Sequence, residues 1–441
     1  MNASAPPSLR PRVPAPVYLL AAVIFCLGTS EFMIAGILEP LSADLSVTIP
    51  QAGLLITGFA VGMIVGAPAM TLLTLTLPRR ATMIVMIIGF SALHILAALS
   101  PSYGLLMVSR VLSAFACGGF WAVAAVHTSA ISPAAVQGRA LASLVGGLTV
   151  ANLVGVPMGT WIGTQFGWRS TFWAVAVVTA LAAVLIAVAT RSSAQSADPA
   201  KSTDPAKSTD PAKSTDPDEA ESPAPAEAAP SLRALLRAEI AAFRGPRIWL
   251  ALGTTALFQA SVFASFSYFS PLLTQVAGLP ADLVPAVLAA FGVGAFVGVV
   301  VGGRLADRNI FGNIVGSLTA LALSLGALWL VADNAILAVI MIVLVGASGF
   351  SIAGALNARV FQIATQAPTL AASVNTSAFN VGNAVGPAVG AWVIAAGFGF
   401  PSTVIAAIVL ALAALVVVAV AIGVERKWAR RSEPILAEAA C

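Results

Sequence analysis

Apolar residues run in long blocks parted by short polar breaks: near residues 17–38, 52–76, 82–99, 104–130, 140–163 and 170–190, then near 248–275, 283–303, 312–331, 335–358, 370–395 and 400–424. A helix crosses a bilayer core with about 20 apolar residues rising ~1.5 Å each, and every block has roughly that length. The pattern predicts an all-α polytopic membrane protein with twelve transmembrane helices in two sets of six. Between the sets the composition changes: DPAKST occurs three times (Asp198–Thr203, Asp204–Thr209, Asp210–Thr215), followed by acidic sequence rich in Pro and Ala. Such a stretch cannot bury enough apolar surface to fold, and it reads as a linker. Within it, Ser231 to Phe243 has the pattern of a short amphipathic helix lying on the membrane face. The expected organisation is a tail over 1–16, a six-helix bundle over 17–190, a linker over 191–247, a second bundle over 248–424 and a tail over 425–441.

The two sets repeat one another. Phe59-Ala60-Val61-Gly62-Met63-Ile64-Val65-Gly66 in span 2 matches Phe291-Gly292-Val293-Gly294-Ala295-Phe296-Val297-Gly298 in span 8. Asn152-Leu153-Val154-Gly155, with Gly159 and Trp161, matches Asn383-Ala384-Val385-Gly386, with Gly390 and Trp392, in span 11. Both matches fall in equivalent slots, which predicts a duplicated six-helix unit with a substrate path at the interface of the halves.

Composition narrows the class further. The chain of 441 residues is 59% hydrophobic and only 9% charged, against about 25% charged in a soluble domain. The net charge of +4 is spread over membrane-flanking loops, so nucleic-acid binding is not expected. With the amino terminus inside, Arg79, Arg80, Arg139, Arg304, Arg308, Arg359, Arg426, Lys427, Arg430 and Arg431 fall on the cytoplasmic side with the linker and both termini, and only Arg169 lies outside. Arg10 and Arg12 precede the first span as in a signal peptide. That run is too long for an h-region and lacks a small-residue cleavage site, so it is expected to stay uncleaved. Cys26, Cys117 and Cys441 lack metal spacing and predict neither a disulfide framework nor a zinc site.

Polar residues inside the apolar blocks carry the candidate chemistry. Glu31, in Gly28-Thr29-Ser30-Glu31-Phe32-Met33, lies about eight residues from the polar exit at Glu39, or ~10–12 Å deep by helical rise. A charge at such depth is costly and faces protein or water. A Gln would hydrogen-bond more cheaply, so a carboxylate there points to proton or substrate handling. The alternative is a neutral Glu that bonds a neighbouring helix. Arg110 in span 4 lies about six residues in, or ~9 Å, on the same side, and two buried opposite charges at one depth cost less paired than apart. Arg110 bonding helix-end carbonyls is the competing reading.

Other positions suggest packing or ligand contact. Gly155, Pro157 and Gly159 in span 5 allow close approach and a kink, either as a gasket on a cavity or as ordinary helix packing. At the inner end of span 8, Gly302-Gly303-Arg304-Leu305-Ala306-Asp307-Arg308 places an Asp where it would cap the next helix or pair with a base across the halves. Its first-half counterpart is Leu75. Span 7 carries Phe258, Gln259, Phe263, Phe266, Tyr268 and Phe269, aromatic faces with polar handles that suit an amphipathic ligand, although such rings also simply pack. Gln259, Phe263, Phe266, Tyr268, Phe32 and Trp121 are the expected substrate contacts. His94 and His127 are given no role. No phosphate loop, nucleophile elbow or metal cluster occurs, so neither an enzyme nor a cofactor is expected.

Together these residues resemble the major facilitator superfamily. Arg110 with Gly118 is similar to the span-4 motif of its drug:proton antiporters. Gly155-Val156-Pro157-Met158-Gly159 is similar to their span-5 motif, with Gly386-Pro387 as a diverged twin. Gly303, Asp307 and Arg308 fit the Gly-x-Leu-Ala-Asp-Arg loop motif, whose first-half copy is degenerate. Thr29-Ser30-Glu31-Phe32-Met33 and Gly167-Trp168-Arg169-Ser170-Thr171-Phe172-Trp173 look most like the chloramphenicol-resistance exporters. The resemblance implies a monomeric, multi-pass protein of the bacterial plasma membrane. It would export small amphipathic drugs, chloramphenicol or a relative, in exchange for protons, with Glu31 and Arg110 as the coupling pair. A sugar or nucleoside exporter on the same fold, and a non-transporting membrane sensor, are the alternatives.

Overall fold

The computed structural model describes residues 12–74, 77–195, 245–364 and 368–438. The DPAKST repeat, the Ser231–Phe243 stretch and Leu75 lie outside the described residues. Among those described, the regular structure is helical with no strand, and twelve helices are long and apolar enough to cross a membrane. The crossing segments are α1 (Ala15–Gly36), α2 (Ile49–Met70), α3 (Arg79–Ala98), α4 (Tyr103–Ile131), α5 (Gln137–Phe166) and α6 (Trp168–Val188) in the first half. The second half holds α7 (Pro246–Gln275), α8 (Ala281–Arg308), α9 (Ile310–Leu330), α10 (Ala335–Ile363), α11 (Val374–Phe398) and α12 (Pro401–Lys427). An even number of crossings puts both chain ends on one face, called here the terminal face; the opposite one is the far face.

Helix starts follow local chemistry. Ser102 accepts from the Leu105 amide at 3.4 Å ahead of α4, while Asn309 and Asn334 accept from Gly312 (2.8 Å) and Leu337 (3.1 Å) ahead of α9 and α10. Asn309 is therefore the cap of α9, which leaves Asp307 without the first of its two expected roles. Pro157 has no N–H and crowds the carbonyl four residues back. The chain absorbs both effects in a π-helical turn over Ala151–Gly155, directly before the proline. The last helix runs over Pro401–Glu438, well past the expected boundary at 424. Glu, Arg, Lys and Ala are good helix formers, so the sequence past Val424 continues the helix once the membrane ends.

The internal repeat is visible in the packing. In the first half α1 packs on α5, α2 on α4 and α3 on α6; in the second, α7 packs on α11, α8 on α10 and α9 on α12. Glycines set the closest of these approaches. A Cβ at Gly62 would sit 2.6 Å from the Val111 carbonyl oxygen of α4, and one at Gly294 would collide with the Val343 carbonyl of α10, so the matched glycines make matched contacts. The halves meet along α2 with α11 and α5 with α8, two contacts that the internal repeat relates to one another. Thr57 Oγ1 donates to the Ala384 carbonyl at 3.0 Å near the middle of both helices, and at the far face Thr274 and Gln275 both donate to Glu39 Oε1 at 2.8 Å. Outward-facing Val177, Leu181, Val184 and Leu185 on α6 are exposed, as suits a lipid-facing surface.

Each half is also fastened to itself. At the far face Asp44 accepts from Arg169 Nη1 and from Trp168 Nε1 (3.1 Å), and Arg169 Nη2 donates to the Ser100 carbonyl at 3.0 Å. At the terminal face Glu425 accepts a two-pronged bond from Arg247 at 2.6 and 2.8 Å and a further one from Arg359. Glu425 and Arg247, expected in a tail and a linker, are thus parts of the second bundle.

Candidate functional site

Glu31 occupies the last α-helical turn of α1 before the chain tightens into a 3-10 turn over Met33–Gly36. It is 8% exposed, and Arg110 on α4 is 1% exposed. The structure brings them together, but not as the side-chain ion pair expected. Arg110 Nη2 reaches the backbone carbonyl of Glu31 at 3.4 Å, and Nη1 donates to Ser30 Oγ at 3.0 Å. Its Nε has no partner, and the guanidinium lies over the Phe59 ring, 4.3 Å from the centroid. The Glu31 carboxylate instead turns to the second half, where Asn383 Nδ2 of α11 donates to Oε1 at 3.1 Å. Asn383 Oδ1 in turn accepts from Gln259 Nε2 of α7 at 2.8 Å.

Ser30, His94 and Asn383 join the site without a signal in the sequence that would assign them to it. His94, on α3, bonds Ser30 Oγ through Nε2 at 2.6 Å and the Phe90 carbonyl through Nδ1 at 2.8 Å. A carbonyl only accepts, so Nδ1 carries the proton and Nε2 accepts from the Ser30 hydroxyl. That leaves Ser30 Oγ free to accept from Arg110. A directional chain, Arg110 to Ser30 to His94, therefore joins α4, α1 and α3. Asn383 was visible only as a member of the repeated Asn-x-x-Gly.

The expected substrate contacts divide. Phe32 and Phe263 meet across the halves with centroids 5.1 Å apart, next to Glu31 and Gln259. Phe266 packs on Phe263, Phe269 and Phe291, inside the second half. Tyr268 is fully buried, its hydroxyl donating to the Pro387 carbonyl at 2.9 Å, and it wedges between Gly53 of α2 and Gly390 of α11. Trp121 is half-buried, eleven residues beyond Arg110 on α4, or about 16 Å toward the terminal face by helical rise.

The motif glycines seat the two helices that carry Glu31 and Gln259. A Cβ at Gly155 would collide with Thr29 Oγ1, two residues before Glu31, and one at Gly386 would lie 2.6 Å from the Ala260 carbonyl oxygen, one residue after Gln259. Gly159 faces Met33 and Thr171. By contrast, Gly303 has open space where a side chain would be, and Asp307 and Arg308 are exposed. The close approach in that loop is made by Gly302, against the Ser351 backbone of α10. Among the described residues, no three His, Cys, Asp or Glu side chains gather as a metal site.

The family model of the Major Facilitator Superfamily matches residues 20–376. The chain belongs to that superfamily. This member is 39% identical over 379 residues to a chloramphenicol resistance protein of Streptomyces lividans, covering 86% of this chain and 89% of the relative. It is 34% identical over 403 residues to the inner membrane transport protein YdhP of Escherichia coli strain K12, covering 91% and 95%. Among solved structures it resembles a bacterial homolog of the human lysosomal transporter Spinster in an inward-facing, unoccupied conformation, with TM-score 0.68, 17% identity and coverage of 92% and 96%. It is therefore a multi-pass bacterial membrane transporter of the superfamily's twelve-helix fold, a class that carries small molecules.

Proposed function

We propose that this superfamily member exports small amphipathic drugs, chloramphenicol or related compounds foremost, in exchange for protons by alternating access. The observation that carries the reading is the Glu31 carboxylate, buried at the interface of the halves with Arg110 against its backbone and Asn383 on its oxygen. A group so placed changes charge at the point where the halves must part, so its proton and the conformation are linked. The facing rings of Phe32 and Phe263 give an apolar contact beside the polar Glu31 and Gln259, as an amphipathic drug requires. The similarity to a chloramphenicol resistance protein favours the same substrate class.

In the cycle, Glu31 takes a proton from outside when the far face is open, and the drug leaves. The far face then closes, the proton passes to the cytoplasm, and new drug enters. Both termini face the cytoplasm in this reading, and the working unit is a monomer. A drug-susceptibility panel on cells with and without the gene tests it, together with drug-driven proton release in vesicles. Protection against chloramphenicol with proton release is the expected result; no protection against any amphipathic drug would overturn it. One observation favours a second reading. Thr255, Asn375 and Asn357 continue the polar side chains of Gln259 and Asn383 toward the terminal face, Thr255 donating to Asn375 at 3.3 Å and Asn375 to Asn357 at 2.7 Å. Such a ladder also suits a hydroxylated substrate such as a sugar or nucleoside, and transport of these in the same vesicles separates the two.

A further inference from the structure

Asn383 stands between Glu31 and Gln259, donating to the carboxylate of the first half and accepting from the amide of its own half. All three side chains are buried. Gln259 offers only N–H to the Asn383 oxygen, which turns the Asn383 NH2 toward α1. The contact is not a by-product of the repeat. Asn152, the matching residue of α5, donates to the Leu148 carbonyl of its own helix at 3.2 Å. Arg110 does not hydrogen-bond the carboxylate, so among the described residues Asn383 is its one hydrogen-bond donor.

We propose that Asn383 is a positioning residue that sets the charge of Glu31 according to whether the halves are closed at the far face. The proposal rests on the reading of Glu31 as the proton carrier. In the structure the far face is held shut by Thr274 and Gln275 on Glu39, and the Asn383 bond is made. An amide N–H bonds a carboxylate more strongly than a neutral acid, so the closed arrangement favours the ionised form. When the halves part at the far face, Asn383 leaves with α11 and the carboxylate loses its donor. A proton from water then forms the O–H bond on a carboxylate oxygen. On closure that bond breaks, the proton returns to water on the terminal face, and the Asn383 bond re-forms. The charged group acting on Glu31 is Arg110 of α4, with His94 of α3 one bond further through Ser30; the Cys117 thiol of α4 lies near both, α7 and α11 present the amides, and α2 contributes Phe59.

The test is an infrared titration of the purified protein in lipid, following the carboxylic-acid band that Glu31→Gln removes. Asn383→Leu is expected to move its midpoint upward by about one pH unit, the effect of one hydrogen bond to a charged group. Uphill chloramphenicol accumulation falls with it. Gln259→Met, which keeps the volume but frees the Asn383 amide to turn, moves the midpoint in the same direction by less. Asn152→Ala leaves it in place. An unmoved midpoint in both Asn383→Leu and Gln259→Met overturns the proposal, and so does an equal shift in Asn152→Ala, because general loosening would then be the cause. If Asn383→Leu does not fold, Gln259→Met decides alone. The band is read with no drug present, so a wild-type protein that fails to move chloramphenicol defeats the substrate reading without touching this one. If no band disappears in Glu31→Gln, the proton-carrier reading and this proposal fall together.

Discussion

Ser30 and His94 share a 2.6 Å bond between Oγ and Nε2, and that bond fixes how Arg110 is held. With the His94 Nδ1 proton given to Phe90, the Ser30 hydroxyl must donate to the ring, and its oxygen is left to receive Arg110 Nη1. His94→Phe removes the acceptor from a buried hydroxyl and is expected to cost about 1–3 kcal/mol of stability. Ser30→Ala frees Arg110 and costs a similar amount. Thermal unfolding in detergent checks both; melting at the wild-type temperature in the two variants would show that the chain contributes nothing to the fold.

Arg110 itself should tolerate little. Lys offers a point charge where the fork bonds Ser30 and a backbone carbonyl while stacking on Phe59, so Arg110→Lys retains partial export and Arg110→Ala loses it. Chloramphenicol resistance at matched membrane abundance is the readout. Full resistance in the alanine variant would remove Arg110 from the mechanism.

Glu31→Gln mimics the protonated side chain and is expected to abolish uphill export while leaving drug binding measurable, because the amide keeps volume and hydrogen-bonding capacity. Glu31→Asp, with a shorter reach to Asn383, keeps partial activity with a displaced pH profile. Vesicle accumulation against a gradient at several pH values distinguishes these outcomes, and proton-coupled transport by Glu31→Gln at the wild-type rate eliminates Glu31 as the carrier.

Gly155→Ala pushes a methyl group into Thr29 Oγ1 and to 2.9 Å from Thr29 Cβ. Overpacking of this kind costs about 1–3 kcal/mol. The partner lies two residues from Glu31, so export falls along with stability. Adding Thr29→Ala removes Oγ1, the nearer of the two atoms, and leaves Cβ in place, so the double variant is expected to recover part of the melting temperature lost in Gly155→Ala alone. Additive losses would show that the strain lies elsewhere.

Asp44 is held below the ordinary carboxylate range, first by the hydrogen bond from Arg169 and further by Trp168. A depressed folded value means the contact stabilises the protein fully above about pH 4, the ordinary Asp value, and is lost as pH falls through the lower folded value. The pair is partly solvent-exposed, so the effect is small. Melting of the wild type and Asp44→Asn, followed from pH 7 down to 3, should show a gap that narrows with acid. A gap that widens would contradict the contact.

The sequence revealed the helices and their duplication because both depend on composition and spacing. Gly62 and Gly294 could be matched by eye, and their packing agrees. That Glu31 and Arg110 come close to one another was legible from helical rise. Their partners were not. Asn383 is 352 positions from Glu31, and only the meeting of α1 with α11 brings it within a hydrogen bond. His94 sat unassigned because a lone histidine in an apolar run carries no signal until Ser30 is placed beside it. Whether Arg110 meets a carboxylate or a carbonyl depends on side-chain torsions, which no periodicity encodes. Of the two roles open to Asp307, the cap is made by Asn309, two residues on, because cap preference names residue types and not register.

Arg247 and Glu425 stand at the two ends of the second half in sequence, yet they are bonded through both carboxylate oxygens. The second half is thereby a closed loop in space, its first and last crossings clasped at the terminal face. The first half has fastenings of its own in Asp44, Arg169 and Ser100, and none of these contacts requires that one half be spliced to the other. A gene divided between the codons for residues 196 and 244 would then encode two polypeptides, each able to fold as a unit. Made in the same cell, they would find one another along α2 with α11 and α5 with α8, and the reassembled pair would transport without a covalent connection.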